Sequence, residues 1–268
     1  MTKRFVQVPA NGLSIGCAIR GSGEPLILIH GGEADHSMFD LLADELAMDF
    51  TVVAYDQRDS GQTQDLAQPA RPYGLSDMGD DVVSLIEALG YQRAHVFGTS
   101  LGGHIAQVFA ARHPDKVDKL ILSSTWPAGC GLHTANPAVA QQLAVWRADV
   151  KSHAGDIAKL FFTPSYLAEH PERIEMFRTS RRTPEQNRRR SALLGTPYPI
   201  RDGQIVAKTL LLIGEADALV PAQATLAIAR FLGSHDTKTM AGVSHISAIH
   251  SPSTVAKYVK EFLQSNES

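Results

Sequence analysis

The chain has 268 residues, 44% hydrophobic and 20% charged, enough to bury one large core and too apolar for a disordered chain. Its 25 basic and 28 acidic side chains leave a net charge of −3, which gives no general attraction to nucleic acid. Two cysteines, Cys17 and Cys130, are too few for a disulfide framework, and no apolar run approaches the roughly 18 residues of a membrane span.

The opening MTKRFVQVPANG lacks the apolar run of a signal peptide, so the cytoplasm, with reduced cysteines, is the expected location. Phe5 to Val8 and Leu13 to Ile19 flank the turn dipeptide Asn11-Gly12 and read as a hairpin. Near-continuous apolar runs follow at 25–30, 51–56, 94–99 and 119–124, the pattern of strands buried on both faces. Between them lie helical periodicities, over 37–48 through Met38, Leu41, Leu42 and Leu46, and over 76–89 through Met78, Val82, Leu85, Ile86 and Leu89. Ser76 with Asp77 and Asp80 predicts the start of the second helix, and Gly90 its stop. From Trp126 to Val206 the chain holds helical segments cut by seven prolines, Pro127, Pro137, Pro164, Pro171, Pro184, Pro197 and Pro199, with no convincing strand. Strands resume at 209–214 and 235–240. This order predicts an α/β fold with a mostly parallel, doubly wound sheet, an N-terminal hairpin and a helical insertion. The expected division is a core of 1–126 and 206–268 with a helical cap, or lid, over 127–205.

Gly98-Thr99-Ser100-Leu101-Gly102 is a G-x-S-x-G elbow at the join of a predicted strand and helix. Glycines let the chain turn sharply there, and the N–H groups opening the helix can stabilise an anion. Ser100 is thus a candidate nucleophile, and the N–H of Leu101 a candidate oxyanion donor. A serine hydroxyl needs a base. Of eleven histidines, His245 follows the last predicted strand, with His250 the rival five residues on.

With these residues in view, the chain resembles the α/β-hydrolase superfamily, most of all its esterase, lactonase and peroxidase-type members. The resemblance rests on four ordered motifs and covers nearly the whole chain outside the insertion. His245 stands seven residues before Pro252, the separation usual for the catalytic histidine of that family. The segment from Gly214 through Asp217 to Pro221 resembles the family's G-x-x-D-x-x-x-P, implying Asp217 as the acid, with Glu215 the weaker candidate. The other place where relatives carry the acid reads Ser123-Ser124-Thr125 and holds no carboxylate. His30-Gly31-Gly32 resembles the H-G-x motif and implies the N–H of Gly32 as second oxyanion donor, with His30 shaping the loop. Asp56 to Gly61 resembles the structural D-x-R-G-x-G turn, with Asp59 where relatives have glycine.

The implied activity is hydrolysis of a carboxylic ester or lactone of a small to medium molecule by a Ser100–His245–Asp217 triad, without metal or other cofactor. Aspartate-nucleophile dehalogenases and epoxide hydrolases are excluded by Ser100, and proline iminopeptidases usually have Trp where Leu101 stands. Carbon–carbon bond hydrolases often carry Trp where Ile246 stands; these enzymes and cofactor-free dioxygenases remain as alternatives, as does a ligand-binding receptor on the same fold. The expected partner is a small-molecule substrate, with no nucleic acid and no membrane. The segment 178–190 holds six arginines and reads as a solvated helical face, or else as a binder of carboxylate or phosphate.

Overall fold

A computed structural model describes residues 2–67, 71–178, 182–193 and 198–265. The hairpin is formed by β1 (Arg4–Ala10) and β2 (Leu13–Arg20). Its turn residues Asn11 and Gly12 have φ of 50° and 73°, the paired left-handed conformations that asparagine and glycine tolerate. There follow β3 (Glu24–Ile29), α1 (Asp40–Leu46), β4 (Phe50–Tyr55), a two-residue β5 (Gln64–Asp65), α2 (Leu75–Ala88), β6 (Ala94–Thr99), α3 (Leu101–Arg112) and β7 (Val117–Ser123). Helices α4 (Leu132–Ala135), α5 (Pro137–Ala148), α6 (Val150–Phe161), α7 (Pro164–Glu169) and α8 (Pro184–Leu193) separate β7 from β8 (Lys208–Gly214). The chain ends with α9 (Ala222–Leu226), β9 (His235–Met240), α10 (Ser247–His250) and α11 (Pro252–Gln264).

The nine strands among the described residues join one sheet in the order β1-β2-β4-β3-β6-β7-β8-β9, with β5 beside β2. The pairs β1–β2, β2–β4 and β2–β5 are antiparallel, and every pair from β4 through β9 is parallel. Parallel strands covered on both faces need apolar residues at consecutive positions, and Leu26 to Ile29 of β3 are fully buried. Met78, Val82 and Leu85 of α2 and Ile105 and Phe109 of α3 join one core cluster. Leu42 of α1, Ile157 of α6 and Val255, Val259 and Phe262 of α11 join the other. No helix among the described residues is long and apolar enough to cross a membrane.

Local chemistry departs from the sequence reading in two places. Helix α2 starts one residue earlier than Ser76: its N-cap is Gly74, whose N–H donates to Asp77 Oδ2 at 2.7 Å. Residues 36–39 form a 3₁₀ turn before α1, because Asp35 caps Ser37 N–H at 2.9 Å and tightens the chain there.

Helix α3 is buried from Leu101 through Ala111, so it also encloses a histidine. His104 packs against Trp126 with ring centroids 4.6 Å apart, and its Nε2 has no hydrogen-bond partner among the described residues. Burial pushes its pKa down to about 4. An unfolded chain takes up this proton near pH 6.5, while the folded chain refuses it until about pH 4. Stability is therefore fully present above pH 6.5 and is lost as pH falls towards 4. Between pH 7 and 5 the loss is about 2 kcal/mol for such a group. Replacing His104 by leucine is expected to flatten the fall of Tm over this range, measured by thermal melts at stepped pH.

Candidate active site

The sequence motifs meet at the C-terminal ends of the central strands, where open α/β sheets place their ligands. Ser100 lies between β6 and α3 with φ 53° and ψ −122°, a conformation strained for a residue with a side chain. Surrounding bonds hold it there: Ser100 N–H donates to Ser123 O at 3.2 Å, and Thr125 Oγ1 donates to Ser100 O at 2.8 Å. The elbow also needs its glycines, since a Cβ at Gly98 would collide with Gly102 O, and one at Gly102 with Ile29 O. Leu101 opens α3, so its N–H has no acceptor one turn back within the helix.

Asp217 and His245 extend from the loops after β8 and β9. Asp217 Oδ2 lies 2.9 Å from His245 Nδ1, and both side chains are almost fully buried. Asp217 Oδ1 accepts the N–H groups of Leu219 at 2.9 Å and Val220 at 2.8 Å. With Nδ1 donating to this carboxylate, the imidazole keeps Nε2 as its open lone pair. The Phe161 ring of α6 stands edge-on to His245 at 5.3 Å, and Ile246 N–H donates to Phe161 O at 3.3 Å. The serine elbow and the histidine loop share a neighbour in Ser123, whose Oγ lies 3.2 Å from Ser247 Oγ. No hydrogen bond joins Ser100 to His245 among the described residues.

The rival residues have other partners. His250 Nδ1 accepts Ser244 N–H at 3.0 Å and lies 2.7 Å from Ser244 Oγ, and burial lowers its pKa. Glu215 Oε2 accepts Gly242 N–H at 3.0 Å.

The loop after β3 brings Gly31 and Gly32 beside the elbow: a Cβ at Gly31 would lie 3.5 Å from Ser100 Cβ, and one at Gly32 3.7 Å from Leu101 Cδ2. His30 is fully buried; its Nδ1 donates to Gly31 O at 2.7 Å, and its Nε2 accepts Gln57 N–H at 3.3 Å. Burial, with the charge of Arg190 beside it, pushes its pKa down to about 3. Both ring nitrogens are occupied in holding the loop.

The arginine-rich segment, of which Thr179, Ser180 and Arg181 lie outside the described residues, is not a solvated face throughout. Arg189 forms a two-bond ion pair with Asp59, at 2.7 and 2.6 Å. Arg182 donates to Asp59 O, Ser60 Oγ and Ala34 O. Arg190, 5% exposed, donates to Arg58 O and to Gln57 Oε1, and Gln57 in turn donates to His30 O at 2.6 Å. Desolvation brings the Arg190 guanidinium down to about 10. Asp59 replaces the family glycine, keeps a left-handed φ of 56°, and supplies the carboxylate that Arg189 needs. A double-mutant cycle of Arg189→Ala and Asp59→Gly is expected to give a coupling energy of about 1–3 kcal/mol in urea unfolding. A value near zero would show that the pair contributes nothing to stability.

Among the described residues, Asp35, His36 and Asp56 form a group with the spacing of metal ligands. Asp56 Oδ1 already accepts His36 N–H and meets His36 Nδ1, both at 2.8 Å, and Oδ2 accepts Gln62 N–H at 2.8 Å. These bonds give the group the character of a packed turn.

A cavity of about 510 Å³ lies between the loop after Gly32 and the helices that follow β7. Phe161 and Ile249 line it, as do Glu33, Arg147, Arg173 and Arg182, whereas Ser100 and His245 do not. Phe161 is the side chain shared by the cavity and the histidine. In the sequence Trp126, Trp146, Phe161, Phe162, Tyr166 and Phe177 read either as the lining of an apolar acyl pocket or as lid packing; of these, Phe161 and Phe177 line the cavity.

Comparison with known proteins agrees with this geometry. A family model described as alpha/beta hydrolase fold matches residues 24–252. The 2-hydroxymuconate semialdehyde hydrolase of Pseudomonas sp. (strain CF600) is 27% identical over 271 aligned positions, 96% of this chain and 93% of that protein. The hydrolase YraK of Bacillus subtilis (strain 168) is 36% identical over 116 positions, but the match spans only 43% of this chain and 42% of YraK. Among solved structures, a hydrolase from Pseudomonas aeruginosa PA01 superposes with a TM-score of 0.78 at 25% identity, covering 98% of this chain and 99% of its own. The sheet topology and the family match together establish that the chain belongs to the alpha/beta hydrolase fold family.

Proposed function

We propose that the protein is a serine hydrolase that cleaves a carboxylic ester or lactone of a small to medium substrate. The observation that carries this reading is the 2.9 Å bond from His245 Nδ1 to buried Asp217, which leaves Nε2 open as a base, on the same sheet edge as the strained Ser100. Nε2 takes the Ser100 proton as Oγ attacks the carbonyl carbon, and Asp217 stabilises the imidazolium so formed. The N–H groups of Leu101 and Gly32 hold the oxyanion. The C–O bond then breaks, the leaving oxygen takes the proton from His245, and water, deprotonated by the same imidazole, releases the acid from Ser100. No step calls for a metal or another cofactor. In this scheme residues 1–126 and 206–268 carry the chemistry, and 127–205 form the lid over it.

The test is inactivation by an alkyl fluorophosphonate. The expected result is loss of para-nitrophenyl butyrate turnover in step with a single phosphonyl adduct, located by peptide mass on Ser100. An adduct elsewhere, or full turnover despite labelling of Ser100, would overturn the assignment. The relative named as a 2-hydroxymuconate semialdehyde hydrolase supports a second reading, carbon–carbon bond hydrolysis of a vinylogous diketone. Against it stands Ile246, where such enzymes often have tryptophan. Turnover of a ring-cleavage dienoate faster than of the ester would favour the second reading.

A further inference from the structure

Three guanidinium groups and two carboxylates, Glu33 and Asp35, line the cavity between the Gly32 loop and the helices after β7. The acids already have partners. Glu33 Oε1 takes Arg147 at 2.6 Å, and its Oε2 lies 4.0 Å from Arg182. Asp35 Oδ1 caps Ser37 N–H at 2.9 Å. Arg182 spends its donors on Asp59 O, Ser60 Oγ and Ala34 O. Arg173 differs from the other two. It donates no hydrogen bond to a described residue: its buried Nε has no hydrogen-bond partner and makes only a long ion-pair contact, 3.7 Å, with Oε1 of the exposed Glu172. Apolar side chains, Ile157, Phe161, Phe177 and Ile249, share the lining with these charged groups and with Ser37, Asn187 and Ser191.

A half-buried guanidinium with open donors, in a cavity whose mixed apolar and polar wall is net cationic, suits a planar anion that can accept two N–H bonds. We propose that the cavity takes a substrate carrying a carboxylate at the end remote from the scissile carbonyl, and that Arg173 binds that carboxylate. The substrate class is then a half-ester of a dicarboxylic acid, or a lactone bearing an acid side chain, with an apolar linker lying against Phe161. This inference rests on the hydrolytic reading given above.

The test compares para-nitrophenyl hemi-adipate with para-nitrophenyl hexanoate, which share the acyl length and differ in the terminal charge. The wild type is expected to favour the hemi-adipate in kcat/KM by about 10- to 100-fold, the worth of a charge-assisted hydrogen bond. Arg173→Gln is expected to lose that preference, lowering the hemi-adipate value far more than the hexanoate value, and Arg173→Lys to restore part of it. A preference that is absent in the wild type, or unchanged in Arg173→Gln, overturns the proposal. Should neither ester be hydrolysed, the ester reading itself fails, and calorimetric titration with adipate decides the anion site independently. Binding to the wild type that Arg173→Gln abolishes upholds the site, and no binding overturns it.

Discussion

Ser100→Ala and His245→Ala should each lower kcat for para-nitrophenyl butyrate by about ten thousand- to a million-fold, and the double variant should be scarcely worse than either. The reason is that the two groups act as one unit. Without the hydroxyl there is no atom to be acylated, and without Nε2 the hydroxyl keeps its proton at neutral pH. What remains under the proposed mechanism is the contribution of Leu101 and Gly32, the candidate oxyanion donors, which would still favour attack by water. His250→Ala is the discriminating control. Its Nδ1 accepts the Ser244 N–H and lies off the Asp217 carboxylate, so the change should cost no more than about tenfold in kcat. If His250→Ala were the inactive variant and His245→Ala the active one, the base would have been assigned to the wrong ring. Intact thermal transitions in all the variants would exclude unfolding as the cause of the losses.

The legible features of this sequence are those whose physics is local. A run such as Leu26 to Ile29, short, apolar and bounded by glycines, reads as a strand covered on both faces, and the G-x-S-x-G turn marks its own strand–helix junction. Asn11-Gly12 announced the hairpin for the same reason, since few other pairs accept two consecutive left-handed residues. His245 came into consideration by its place after the last predicted strand, and the family resemblance implied both it and Asp217; their side chains do meet. Charges that find partners far along the chain were not legible. The block 178–190 has the composition of a solvated face, and only the folded chain shows Arg189 reaching Asp59, 130 residues away. The clue was present at the other partner: an acid stands in a turn where relatives have glycine, and it keeps a glycine-like φ. An acid that accepts backbone strain in a turn needs a compensating contact, and here that contact is cationic. Which side chains line the cavity was not legible either, because one wall comes from the loop after Gly32 and the other from helices that the sequence shows only as segments between prolines.

Gly102→Ala should unfold the protein or destabilise it by about 3 kcal/mol or more, although alanine is ordinarily the better helix former. Gly102 lies in the first turn of α3, where the helix presses on the end of β3. A Cβ there would meet the carbonyl oxygens of Ile29 and His30, which belong to a fully buried strand and its loop. Backbone held on both sides by parallel neighbours cannot move aside as the tip of a flexible side chain can. The same closeness brings Gly32 beside Leu101, so any shift that relieved the clash would also draw the two candidate oxyanion donors apart. Gly155→Ala supplies the opposite sign from the same chemical change. Gly155 sits within α6 with nothing within 4 Å of its would-be Cβ, and so should gain about 0.5–1 kcal/mol from the lower backbone entropy of the unfolded chain. Urea denaturation of both variants measures the contrast. A Gly102→Ala protein as stable as the wild type would mean that α3 can withdraw from β3, and its ester turnover would then show whether the close approach serves catalysis or only packing.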